Sequence, residues 1–109
     1  MRTRPEGISK EDISHVREIA RQVASIVRRV TGDRSFQVLL FGSWAEGTAR
    51  PRSDVDIAID GTTPVDPKHL AEIRDACDRM ATLFTVDLVD LARTSEQFRE
   101  GVRRNAEVI

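Results

Sequence analysis

The sequence predicts an α/β fold, a small β-sheet flanked by helices, and three observations carry that prediction. Apolar residues recur three and four apart over residues 9–30 and again over 67–83, the period of one helix face. Short β-prone runs lie at 36–41, 54–60 and 85–91. Helical and extended segments alternate with no repeat, low-complexity tract or linker between them, so one domain over residues 1–109 is expected.

The first helix, 9–30, places Ile13, Val16, Ile19, Ala20, Val23, Ile26, Val27 and Val30 on one face. Ser9 with Asp12 three residues on is a capping signal, Glu11 and Asp12 suit the positive end of the dipole, and Arg28 and Arg29 suit the negative end before Gly32. Phe36 to Phe41 reads as a buried strand bounded by turn residues on both sides. In the strand 54–60, Val55, Ile57 and Ile59 share one face, and Asp54, Asp56, Ala58 and Asp60 share the other. After a loop at 61–65, Asp66 caps a helix that begins at Pro67, and Leu70, Ile73, Cys77, Met80 and Phe84 extend its stripe over 67–83. Thr85 to Leu91 is the third strand, and Thr94 to Gln97 is a capping signal for a last helix with Phe98 and Val102.

With 39% apolar and 32% charged residues the composition is that of a globular domain, and no apolar run approaches the roughly 18 residues that span a bilayer. Arg2 to Gly7 includes basic residues but no apolar core of a signal peptide, so a cytoplasmic protein is expected. The single cysteine, Cys77, excludes an internal disulfide and reads as a small buried apolar side chain. Seventeen basic residues against 18 acidic ones give a net charge of −1, which offers no steering towards a polyanion. Neither nucleic acid nor membrane is an expected partner, and any phosphate recognition must be local.

The chemistry gathers in three places. Asp54 and Asp56 project from the same strand face about 6 to 7 Å apart, close enough to share hard cations. A third strand can bring Asp87 beside them, and three carboxylates on rigid strands suit Mg²⁺ better than zinc, because Mg²⁺ prefers an octahedral oxygen shell. The Gly42-Ser43 turn supplies the complement: glycine lets backbone approach a ligand, serine offers a hydroxyl and an N–H, and Trp44 to Thr48 could present helix-terminal N–H groups to an anion. Two metals about 4 Å apart between these parts would stabilise an in-line displacement at phosphorus.

The stretch Leu40 to Ile57, with Gly42-Ser43, ten intervening residues and then Asp54-Val55-Asp56, followed by an apolar-Asp-apolar strand, resembles the signature of the polymerase-β-like nucleotidyltransferases. The short form is similar to the minimal nucleotidyltransferase (MNT) antitoxins of HEPN/MNT toxin–antitoxin pairs. The resemblance covers residues 36–91 and implies that fold, with a small mixed sheet. It implies that Gly42 and Ser43 bind the triphosphate of ATP, that Asp54 and Asp56 ligate both Mg²⁺ ions, and that Asp87 is the third carboxylate, bridging metal and incoming hydroxyl as a base. Asp90 is the rival for that role; strand parity sets the two aspartates on opposite faces, and Asp87, inside the strand, is favoured. Two departures from the pattern are Trp44, where many relatives carry arginine, and Glu46, where a basic residue is common.

Other residues read more plainly. Asp60 and Asp90 are assigned to solvent or caps, and His15 and His69 to solvated helix sides. Arg50 and Arg52 are loop charges, of which Arg50 is placed to assist the triphosphate. Trp44 either stacks on a base or packs against the sheet. No serine lies in a nucleophile-elbow sequence, which leaves a hydrolase triad unsupported. The expected function is AMP transfer from Mg·ATP to a protein hydroxyl, since larger relatives add a helical domain for a small acceptor and 109 residues leave no room for one. The resemblance implies that the acceptor is a tyrosine near the active site of a HEPN-type RNase toxin, with which the chain could form a hetero-oligomer. The alternatives are a non-catalytic antitoxin acting by occlusion and one subunit of a two-chain small-molecule (aminoglycoside-type) nucleotidyltransferase.

Overall fold

Ser9 starts the first helix as its sequence promises. In a computed structural model describing residues 7–109, its Oγ accepts from the Asp12 N–H at 3.1 Å, while Asp12 accepts from the Ser9 N–H at 3.2 Å. The resulting α1, Lys10–Thr31, ends where Gly32 takes the left-handed conformation at φ 63° and donates to the Arg28 carbonyl. The signal-peptide reading of Arg2 to Glu6 lies outside the described residues.

The chain continues through β1 (Gln37–Phe41), a one-turn α2 (Ser43–Glu46), β2 (Val55–Asp60), α3 (Pro67–Asp78), β3 (Val86–Asp90), a 3₁₀ turn (Leu91–Arg93), α4 (Glu96–Asn105) and a two-residue β4 (Glu107–Val108). The sheet runs β3-β2-β1-β4, with β1 antiparallel to both β2 and β4 and β2 parallel to β3. The parallel pair needs a crossover, and α3 supplies it.

Two apolar clusters divide the sheet. Val38, Leu40, Val55, Ile57, Ile59 and Leu88 pack against the stripe of α1 and against Ile73 and Cys77 of α3. On the opposite face Leu39 and Ala58 pack against Leu91 and Val102. The expected parity of β2 is the observed one: a one-residue slip would drive Asp56 into the α1–α3 core and expose Ile57 and Ile59, so burial fixes the register.

Two expectations about the helices need correction, and one strand is unanticipated. The helix read over 67–83 stops at Asp78; Arg79 caps it, and a turn with Thr82 N–H on the Met80 carbonyl and Phe84 N–H on Thr82 Oγ1 returns Met80 and Phe84 to the core from outside the helix. The last helix is capped by Ser95, whose Oγ accepts from the Phe98 N–H at 3.1 Å, whereas the Thr94 hydroxyl donates to the Leu91 carbonyl at 2.7 Å. Strand β4 has no counterpart in the sequence reading.

Asp60 is not a solvent carboxylate. It accepts a fork of two hydrogen bonds from Arg103, at 3.0 and 2.7 Å, which ties α4 to β2. At the open edge of the sheet, Arg74 of α3 donates to the Leu88 carbonyl of β3 at 3.4 Å. Cys77 is buried as expected, and burial pushes its thiol up to about 11. Among the described residues no helix is long and apolar enough to cross a membrane.

Candidate active site

Strand register brings the carboxylates together. Phe41 of β1 stands opposite Asp56 of β2, and Asp56 stands opposite Asp87 of β3. The next row on the same face is Leu39, Ala58 and Val89. One face therefore changes from apolar, beneath Val102 of α4, to acidic within a single row.

Gly42 closes against that row. Its backbone sits at φ 73° and ψ −153°, a conformation essentially reserved for glycine, and a Cβ built there would overlap Oδ2 of Asp56 and lie 3.0 Å from its Cγ. Its carbonyl accepts from the Glu46 N–H at 3.0 Å, which starts α2. A four-residue helix carries little macrodipole, and the expectation that Trp44 to Thr48 present their N–H groups to an anion holds only at its start, because the N–H groups of Glu46, Gly47 and Thr48 donate to the Gly42 and Ser43 carbonyls.

Asp54 is exposed, immediately before β2, and its neighbours are fixed. Ser53 donates its N–H to the Arg50 carbonyl at 3.0 Å, and its hydroxyl accepts from the Arg50 N–H at 2.8 Å. The Ser53 carbonyl accepts from Trp44 Nε1 at 2.9 Å, and the Val55 N–H donates to the Thr85 carbonyl at 2.8 Å. Arg50 is exposed on this loop, four residues ahead of Asp54, and Arg52 reaches a positive φ of 65° at its tip.

Trp44 packs; its two readings from sequence resolve in favour of the core side. The indole meets Phe84 edge to face at 5.5 Å, and Phe84 in turn meets the His15 ring at 5.6 Å. His15 is therefore more than a solvated side chain, since its Nε2 also lies 3.1 Å from the Thr82 hydroxyl. His69 is partly buried on α3.

Asp87 and Asp90 part company as parity requires. Asp87 is exposed beside Asp56, whereas Asp90 is 4% exposed on the other side of β3. There Asp90 accepts from the Val65 N–H at 2.9 Å, from the Ala92 N–H at 3.3 Å and from Arg93 Nε at 3.2 Å, while Arg93 Nη2 donates to the Val65 carbonyl at 2.8 Å. It caps the 3₁₀ turn, but it is a buried structural pin and not a solvated group. Nothing local in the sequence marks this, because the Val65 donor is 25 residues away.

Asp56 is the electrostatic centre of the acidic row. Burial holds its carboxyl above the ordinary carboxylate range, and the charges of Asp87 and then Asp54 push it further. An all-oxygen donor set that strains against its own charge fits a hard divalent cation such as Mg²⁺, which would remove the repulsion. Among the described residues no group of three or more acidic, histidine or cysteine side chains is gathered closely enough to hold a metal ion, so Asp54, Asp56 and Asp87 stand as a row and not as an assembled three-carboxylate site. The carboxylates form an open face on which a ligand would have to complete the coordination.

Known proteins share this arrangement of elements. The polymerase-β nucleotidyltransferase family model matches residues 34–109. A Haemophilus influenzae protein named probable protein adenylyltransferase MntA is 35% identical over 82 residues, 75% of this chain and 70% of its own. A solved structure described as a minimal nucleotidyltransferase superposes with a TM-score of 0.67 at 24% identity, covering 94% of this chain and 98% of the other. A chain of the complex between tri-AMPylated Shewanella oneidensis HEPN toxin and its MNT antitoxin gives a TM-score of 0.60 at 21% identity, covering 85% and 70%. At these identities the two structures speak for the fold, a mixed sheet flanked by helices, while the family match takes in β1 through β4 with the whole acidic row. The chain belongs to the polymerase-β nucleotidyltransferase family.

Proposed function

We propose that this chain is a single minimal nucleotidyltransferase domain that transfers AMP from ATP to a tyrosine hydroxyl of a separate HEPN-type toxin in the cytoplasm, and so acts as its antitoxin. The observation that carries the reading is the Asp56–Asp87 pairing with Gly42 closed against Asp56, which sets a turn for phosphate beside a carboxylate pair on adjacent strands. The named relative is an adenylyltransferase, and the Shewanella complex pairs an MNT antitoxin with an AMPylated HEPN toxin, which supports the donor and the partner. The chain contains no tyrosine, so the acceptor is supplied in trans.

Asp54, Asp56 and Asp87 would hold Mg²⁺, two ions in the expected arrangement, whose chemistry is to neutralise the triphosphate and stabilise charge at the α-phosphorus. Gly42 gives the phosphates close access to backbone, Ser43 donates to them, and Arg50 adds a cation from the loop. Asp87 takes the hydroxyl proton as the tyrosine oxygen bonds to the α-phosphorus; the bond from that phosphorus to the bridging oxygen breaks, and pyrophosphate leaves. The product carries new negative charge and bulk on the toxin, which would repel RNA phosphates.

Intact mass spectrometry of the neighbouring-gene HEPN-type protein, after incubation with this chain and Mg·ATP, should show whole added AMP units. An unchanged mass with RNase activity still suppressed would replace catalysis by occlusion.

A further inference from the structure

On the acidic face, between α2 and α4, lies a groove of about 330 Å³ lined by Phe41, Gly42, Gln97, Phe98, Gly101 and Asn105 among others. It begins at the catalytic turn, because Gly42 belongs to both, and Phe41 stands in register with Asp56. Its size is at the lower end of small-ligand sites. Its lining is mostly apolar, its charged residue is the acidic Glu46, and no lysine or arginine lines it among the described residues, so it is unsuited to phosphate.

Two features of α4 at this groove have no explanation in the chain's own packing. Phe98 leaves 42% of its surface exposed, with its ring set perpendicular to that of Phe41 at 6.2 Å. One turn on, Gly101 sits inside the helix, where glycine costs about 1 kcal/mol relative to alanine. A Cβ at Gly101 would meet nothing within 4 Å, so neither a close neighbour nor an unusual backbone angle demands glycine there. Gly101 lies four residues after Gln97, three after Phe98 and four before Asn105, so it neighbours all three on the helix surface, with Gln97 and Phe98 on either side of the face it opens. That face offers an aromatic ring, a gap and two carboxamides. Each carboxamide carries a donor and an acceptor on one planar head, which matches the donor–acceptor edge of a purine.

We infer that this groove seats the purine base of the nucleoside triphosphate, with Phe98 as the stacking surface, Gly101 as the clearance for the ring, and Gln97 and Asn105 as readers of its edge. The inference rests on the nucleotidyltransferase reading of the acidic row and adds the nucleobase subsite to it. A neutral, flat, polar-edged body fits this lining; the triphosphate stays with Gly42, Ser43 and the carboxylates. Base stacking on an aromatic side chain supplies a large part of nucleotide affinity elsewhere, and the exposed Phe98 is placed to do so here.

The test is Gly101→Leu, whose Cβ meets nothing and which replaces a helix breaker with a helix former, with retention of the fold checked by its Tm. Titration calorimetry with Mg²⁺ compares ATP with inorganic tripolyphosphate, which has no base. The wild type should bind ATP more tightly than tripolyphosphate, and the variant should lose about tenfold or more in ATP affinity with tripolyphosphate unchanged. Phe98→Ala should repeat the pattern, which separates lost stacking from a misfolded variant. Wild-type ATP affinity in both variants, with Asp54→Asn/Asp56→Asn abolishing it, overturns the base seat and leaves the nucleotidyltransferase reading intact. Full ATP affinity in Gly101→Leu with loss of AMP transfer to the acceptor protein gives the groove to the acceptor and also overturns the proposal. A wild type that binds neither probe overturns the reading beneath it as well.

Discussion

Trp44 Nε1 donates to the backbone carbonyl of Ser53 at 2.9 Å, and this one bond joins the turn after β1 to the residue directly before Asp54. The indole is also held edge-on by Phe84, so its direction is set from the core side. Trp44→Phe keeps a ring and removes the donor, at a stability loss of about 1 kcal/mol. The expected result is about a tenfold drop in kcat for AMP transfer with a small change in Tm, the signature of misplacement at a reacting centre. Unaltered kcat would make the bond purely structural.

Replacing Asp54 and Asp56 by asparagine should remove Mg²⁺-dependent ATP binding and raise stability in EDTA. A carboxyl whose folded-state pKa is raised is most favourable below its unfolded value and loses that contribution as pH rises through the raised one. At neutral pH the wild type thus bears the full burial and repulsion penalty at Asp56. The stability gap in favour of the double variant should be widest there and should narrow as pH falls into the carboxylate range. Thermal melts across pH with chelator decide this, and a less stable variant at pH 7 counts against it.

Asp87→Ala and Asp90→Ala should fail differently. Asp87 is exposed, so its loss should leave Tm nearly unchanged and reduce transfer far more than ATP affinity. Asp90→Ala strands the buried Val65 N–H and releases Arg93, which should cost about 2–3 kcal/mol of stability. Denaturant midpoints beside turnover rates distinguish the two, and a stable, inactive Asp90→Ala would return the third-carboxylate role to Asp90.

Gly42→Ala meets both a forbidden backbone angle and the Asp56 carboxylate, a strain of order 1–3 kcal/mol. Relief requires the turn or Asp56 to move, so transfer should fall by about a hundredfold or more. A Gly42→Ala protein with wild-type kcat/KM would show that the close approach has no catalytic consequence.

What the sequence disclosed was what neighbours along the chain decide. The Ser9–Asp12 cap, the stripe of α1 and the two faces of β2 each depend on residues a few positions apart, and all three are present as read. Misreadings arose where a distant partner decides. Met80 and Phe84 continue the helical spacing of α3 but reach the core from a turn, and β4 exists only because Leu39 and Leu40 of β1 offer an edge to Glu107 and Val108. Asp60 and Asp90 read as solvent or capping acids, and the cap at Asp90 is present, but their main partners are not legible nearby, because Arg103 and the Val65 N–H lie 43 and 25 residues away. At the site, the acidic spacing was legible, while the contact between Gly42 and Asp56 follows from strand pairing.

The Arg74 guanidinium on the Leu88 carbonyl bears on how another protein can approach. Because the Thr85 carbonyl turns inward to Val55, the alternation of a parallel ladder turns the Leu88 carbonyl outward, at the middle of the strand's outer rim. A cation lodged there discourages a foreign strand from annealing to the rim that carries Asp87. On the proposed function, a protein acceptor would then come down on the face of the sheet, offering a side chain and keeping its own backbone folded. Such a visitor would shed no structure on arrival and need none rebuilt on departure.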